Sequence, residues 1–91
     1  SFGAAKGITE RMMLIKNYKV LVLDITEVPR LGITASLAIE DMVQEAKAND
    51  RKAFVAGAQG NVRDRLARFG VEGLVDTRKA ALEAALNQIN K

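Results

Sequence analysis

The chain has 91 residues, 48% of them hydrophobic and 27% charged, and a formal net charge of +3. That size fits one domain spanning residues 1–91 with its own core, and leaves no room for two. The well-mixed charges exclude a polybasic nucleic-acid arm, and the aromatics Phe2, Tyr18, Phe54 and Phe69 are too scattered to stack bases. The absence of Cys and His excludes disulfides, thiol chemistry, Cys/His metal centres and the commonest general base. Apolar runs such as Val20 to Leu23 fall far short of a membrane span. A start at Ser1, inside an organised stretch, reads as a fragment of something longer.

In chain order, Ala5, Ile8, Met12 and Ile15 recur at steps of three and four and predict a helix from about Ala4 to Lys16, with Asn17 as its stop. Lys19 to Asp24 reads as a strand whose four consecutive aliphatics imply cover on both faces, as in a parallel sheet. A loop from Thr26 to Leu31 holds the only proline, Pro29. Ala35, Ala38, Ile39, Met42, Val43 and Ala46 form an amphipathic stripe and predict a helix from about Ile33 to Asn49. Lys52 to Ala56 is the next strand, and Gly57-Ala58-Gln59-Gly60 the turn into a helix burying Val62, Leu66 and Phe69. Gly70 stops that helix. Gly73-Leu74-Val75 reads as a short edge strand. Asp76 or Thr77 then caps a last helix with Leu82, Ala85, Leu86 and Ile89 inward. Four helices alternating with three strands predict crossover units on one mostly parallel α/β sheet, thin enough that one or two strands should precede Ser1.

Chemistry is sparse. No nucleophile has an activating His or Cys, and no Gly-x-Ser-x-Gly elbow is present. Asp24, Glu27 and Asp76 could approach one another at strand ends, but solvated or capping carboxylates are the preferred reading. The Gly57 to Gly60 turn opens a helix and would suit an anion or nucleotide, with Arg63, Arg65 and Arg68 close behind. It lacks the Gly-Lys-Ser/Thr ending of a phosphate loop, so a plain strand-to-helix turn is preferred. Thr34 stands at the start of the best helix. Its hydroxyl would cap free N–H groups, the favoured role, or accept a phosphate that switches an interface. Leu37 points away from the buried stripe and, with Leu31 and Ile33, makes a candidate contact patch.

Val22-Leu23-Asp24-Ile25, then Val28-Pro29 and Gly32-Ile33-Thr34-Ala35, follow the order of an aliphatic Leu-Asp-Leu strand, a loop and an Asp-Ser-Ser-Gly helix start. Phe54-Val55-Ala56-Gly57, Asn61-Val62-Arg63, Phe69-Gly70-Val71 and the helix from Asp76 to Leu82 continue the same pattern. In these stretches the chain resembles the STAS family, named for sulfate transporters and anti-sigma factor antagonists. Ser1 to Lys16 is similar to its transporter branch, the sulfate permeases, and within it to cyanobacterial members that carry sodium-dependent bicarbonate.

The resemblance implies a mixed, mostly parallel sheet with four helices. It implies a non-catalytic domain without cofactor, on the cytosolic face of the inner membrane behind a multi-span transport domain of the same protein. Assembly, as the homodimer common in the family, trafficking and control of transport would be its work. A regulatory protein or a nucleotide would be a further partner. Thr34 falls on the serine that anti-sigma factor antagonists have phosphorylated, which supplies the alternative of a soluble switch. Gly32 and Ile33 stand where that pattern has an acid and a serine, and this favours assembly.

Overall fold

The computed structural model describes residues 18–28 and 30–91. The expected helix over Ala4 to Lys16, its stop at Asn17, and Pro29 lie outside the described residues. The elements are β1 (Val20–Asp24), α1 (Ile33–Ala48), β2 (Lys52–Ala56), α2 (Gly60–Arg68), β3 (Leu74–Val75) and α3 (Arg78–Ile89). Among the described residues the sheet has three parallel strands in the order β1-β2-β3. This is the α/β architecture expected, and the three described helices are the last three of the four expected.

The register decides which side chains share a face. Leu21 pairs with Ala53, Leu23 with Val55, and Val55 with Leu74. Alternation along each strand therefore puts Leu21, Leu23, Ala53, Val55 and Leu74 on one side. These residues join the core cluster under α1 and α2, with Ile25, Leu31, Ala35, Ile39, Met42, Val43, Ala58, Leu66 and Val71. Ile39, Leu66 and Val55 are fully buried, and each stabilises the fold by about 1.5–3 kcal/mol through lost apolar exposure. Val20, Val22, Phe54 and Ala56 face the other way, where α3 packs across β1, β2 and β3.

That packing corrects two expectations. In α3 the residues against the sheet are Ala81 and Ala85, while Leu82, Leu86 and Ile89 are about half exposed. Small side chains let the helix axis approach the strands closely, and the leucine stripe is rotated out. In β1, Val20 to Leu23 are each only half-buried; among the described residues this strand pairs on one edge alone, with β2.

Helix ends follow local chemistry. Thr77 caps α3 by accepting a hydrogen bond from the Ala80 N–H at 3.0 Å. In α2, Gly70 has φ +83°, its N–H donates to Ala67 O, and Val71 N–H donates to Leu66 O. The two bonds close the helix with a left-handed residue. In α1 the same pair of bonds runs from Asp50 N–H to Lys47 O and from Arg51 N–H to Ala46 O, with Asp50 at φ 58°. Gly73 has φ +77°, and a Cβ there would collide with the carbonyl oxygen of Ala53. Only glycine lets this segment close on β2, where Gly73 O accepts from Val55 N–H at 2.9 Å.

Candidate functional surface

The crossovers carry both loop-to-helix turns of interest to the carboxyl ends of the strands, the side on which parallel sheets present ligand-binding loops. One turn is Gly57 to Gly60 leading into α2, the other Leu31 to Thr34 leading into α1.

At the first turn, Gly57 packs so closely on Thr26 that a Cβ would stand 2.5 Å from its Oγ1. The turn thus braces the end of β1. Gly60 opens α2, and the backbone donors there receive no side-chain cap from Gln59. Arg63 is half-buried beside the turn, and its guanidinium donates to Asp76 Oδ1 at 3.2 Å. Gln59 donates to the Asp76 backbone oxygen at 3.3 Å. Gly57, Gly60 and Arg63 are thus gathered at one place, with the arginine engaged by a carboxylate.

The carboxylates at the strand ends are also occupied. Asp24 accepts from the Thr26 N–H at 2.9 Å and from Arg78. The Thr26 hydrogen bonds, then the Arg78 guanidinium, hold its carboxyl well below the usual range, at about 2. The same contact raises Arg78. Asp24 and Asp76 each face their own arginine, an arrangement that ties α3 and α2 to the sheet ends. General acid–base work by a carboxylate pair needs environments that push the two pKa values apart, one of them upwards, whereas Asp24 is held low by its partners.

At the second turn the hydroxyl that bonds is Ser36, not Thr34. The N-cap of α1 is Gly32 and has no side-chain cap; Ser36 Oγ, fully buried, donates to Gly32 O at 2.9 Å. Thr34 lies inside the first turn with its side chain in solvent, so the favoured capping role is not the one it plays. Ile33 and Leu37, one helical turn apart, are 64% and 45% exposed. Leu31 is 6% exposed and belongs to the core, which removes it from a surface patch. Arg65 of α2 donates to Leu31 O at 2.5 Å and pins this loop. That contact, over 34 residues of separation, left no trace in the sequence; nor did the outward stripe Leu82, Leu86 and Ile89.

Known proteins resemble this arrangement closely. The STAS domain family matches residues 1–85. The bicarbonate transporter BicA of Synechocystis sp. is 36% identical over 91 residues, covering 93% of this chain and 16% of that protein. The bicarbonate transporter BicA of Picosynechococcus sp. is 42% identical over 68 residues, 75% of this chain and 12% of that protein. The chain therefore corresponds to a small part of those relatives. Among solved structures, a sulfate transporter family protein from Wolinella succinogenes superposes with a TM-score of 0.83 at 22% identity, over 99% of this chain and 80% of that one. The STAS domain of a SulP transporter from Vibrio cholerae gives 0.76 at 27% identity, over 98% and 75%. The chain belongs to the STAS domain family and is homologous to part of the BicA bicarbonate transporters of the SulP family.

Proposed function

We infer that this chain is the non-catalytic control and assembly domain of a SulP-type anion transporter, held on the cytosolic face of the inner membrane by a transport domain of the same protein. The observation that carries the reading is the 36% sequence identity to a bicarbonate transporter over 93% of the chain. No helix among the described residues is long and apolar enough to cross a membrane, so the spans would belong to another part of the parent. The occupied carboxylates Asp24 and Asp76 support a non-enzymatic role. Topology mapping of the full-length gene product tests the assignment; a product without membrane spans would contradict it.

Within that reading, Ile33 and Leu37 form the self-association surface. They are apolar, exposed and one helical turn apart at the start of α1. Leu37→Asp is expected to shift the sedimentation profile towards monomer while the circular dichroism spectrum stays unchanged. Unfolding would mean that Leu37 serves the core.

The accessible Thr34 hydroxyl supports a second reading, a module switched by phosphorylation. Mass spectrometry after incubation with candidate kinases tests it, and an unmodified Thr34 removes it.

A further inference from the structure

The start of α1 lacks the devices that usually fix a helix end. Its N-cap is Gly32, which has no side chain to cap with, and the first turn holds no acidic residue. Glycine also leaves the chain ahead of the helix with more conformational freedom than any other residue. The entry is held from both sides of Gly32 instead. On the helix side, the Ser36 N–H and Oγ both donate to Gly32 O, at 3.0 and 2.9 Å. On the loop side, Leu31 buries its side chain in the core, and its carbonyl oxygen accepts from the Arg65 guanidinium.

Arg65 is used differently from the other arginines near the sheet ends. Arg63 and Arg78 face carboxylates, and Arg68 is exposed. Among the described residues no carboxylate pairs with Arg65; its charged donor goes to a neutral carbonyl of another crossover, in a part-buried place. A hydrogen bond from a charged donor is roughly twice as strong as a neutral one. Removing it strands a part-buried carbonyl, which then gains by moving towards water. Leu31 would be drawn from the core with it. Ile33 and Leu37 lie just beyond, 64% and 45% exposed, and the position of the first turn decides whether they stand side by side.

We propose that Arg65 is a positioning residue for the self-association surface: by holding Leu31 O it locks the first turn of α1 and keeps Ile33 and Leu37 in place for a second copy of the chain. This rests on the reading of those two residues as that surface. Without the contact the first turn opens, and each copy must order it again on association, which weakens the pair.

The test compares Arg65→Met, which keeps the apolar stem and loses the donors, with Arg65→Lys, Arg63→Met and Leu37→Asp in the 91-residue chain. Sedimentation reads self-association, and amide hydrogen exchange reads the first turn. The Ser36 N–H, bonded to Gly32 O, closes that turn, while the Val55 N–H, bonded to Gly73 O, reports on the sheet. Arg65→Met should speed exchange at Ser36 about tenfold relative to Val55 and weaken self-association about tenfold, the scale of one charged hydrogen bond. Arg65→Lys keeps a charged donor and should fall between Arg65→Met and the parent chain; it carries the comparison if Arg65→Met does not fold. Arg63→Met loses the same charge from the same helix and should match the parent in both readouts. Exchange that rises equally at Ser36 and Val55 would make the contact a general stabiliser of the fold. Faster exchange at Ser36 with unchanged association would detach it from the surface. Either result overturns the proposal. Association that is indifferent to Leu37→Asp would refute the surface reading itself, and the proposal with it.

Discussion

Gly70 and Gly73 offer an internal comparison that tests the packing of β3. Both have left-handed φ, +83° and +77°. A Cβ at Gly70 meets nothing within 4 Å, whereas at Gly73 it runs into the backbone of Ala53. Gly70→Ala should therefore carry only the conformational cost, about 1–2 kcal/mol. Gly73→Ala carries that cost and must also push its segment off β2. This endangers the bond from Val55 N–H to Gly73 O, at about 0.5–1.5 kcal/mol, and the two-residue pairing of β3 beyond it. The expected loss is about 2–4 kcal/mol, a large part of the stability of a domain this small. Urea denaturation followed by circular dichroism measures both variants against the parent. At about 4–8 °C per kcal/mol for a domain this size, melting of Gly73→Ala should fall by at least about 8 °C. Equal destabilisation of the two variants would refute the close approach of residue 73 to β2.

Two further predictions concern chain ends and charge. Asp50→Gly at the left-handed position after α1 should stabilise by a few tenths to about 1 kcal/mol, since glycine adopts that conformation without strain; a lower melting temperature would contradict it. Asp24 titrates at about 2 in the fold against 3.8 ordinarily. Its folded pKa is depressed, so its contribution to stability is present above pH 3.8 and is lost as pH falls towards 2. Carboxyl NMR should show this titration moving up in Arg78→Gln, and an unmoved value would show that Arg78 does not matter to it.

Much of the architecture was legible because strand and helix periods differ. Lys52–Ala56 matches its expected bounds, and α1 ends at Ala48, one residue before its expected end at Asn49. Glycine and hydroxyl chemistry marked the ends at Gly70 and Thr77. The facing of α3 was not legible. Its alanines and leucines form adjacent stripes, and hydrophobicity favours the leucines, while close helix-on-strand packing favours Ala81 and Ala85. The start of α1 falls at Ile33 as expected, but the hydroxyl chemistry there misled. Thr34 looks like a cap, but the N-cap is Gly32 and the hydroxyl bonding back to it is that of Ser36. Leu31, expected at the surface, is buried by a loop whose anchor, Arg65, comes from the next crossover. The pairs Asp24–Arg78 and Arg63–Asp76 form only when strand ends and distant helices meet, so neither carboxylate revealed its partner locally.

The most direct test of the central claim is bicarbonate and sulfate uptake by cells expressing the full-length gene product, with the native domain or with Leu37→Asp. The account predicts anion uptake by the native protein, and for Leu37→Asp a loss of uptake or of oligomer with the domain still folded. No uptake of either anion, or wild-type uptake and assembly in the variant, would contradict it.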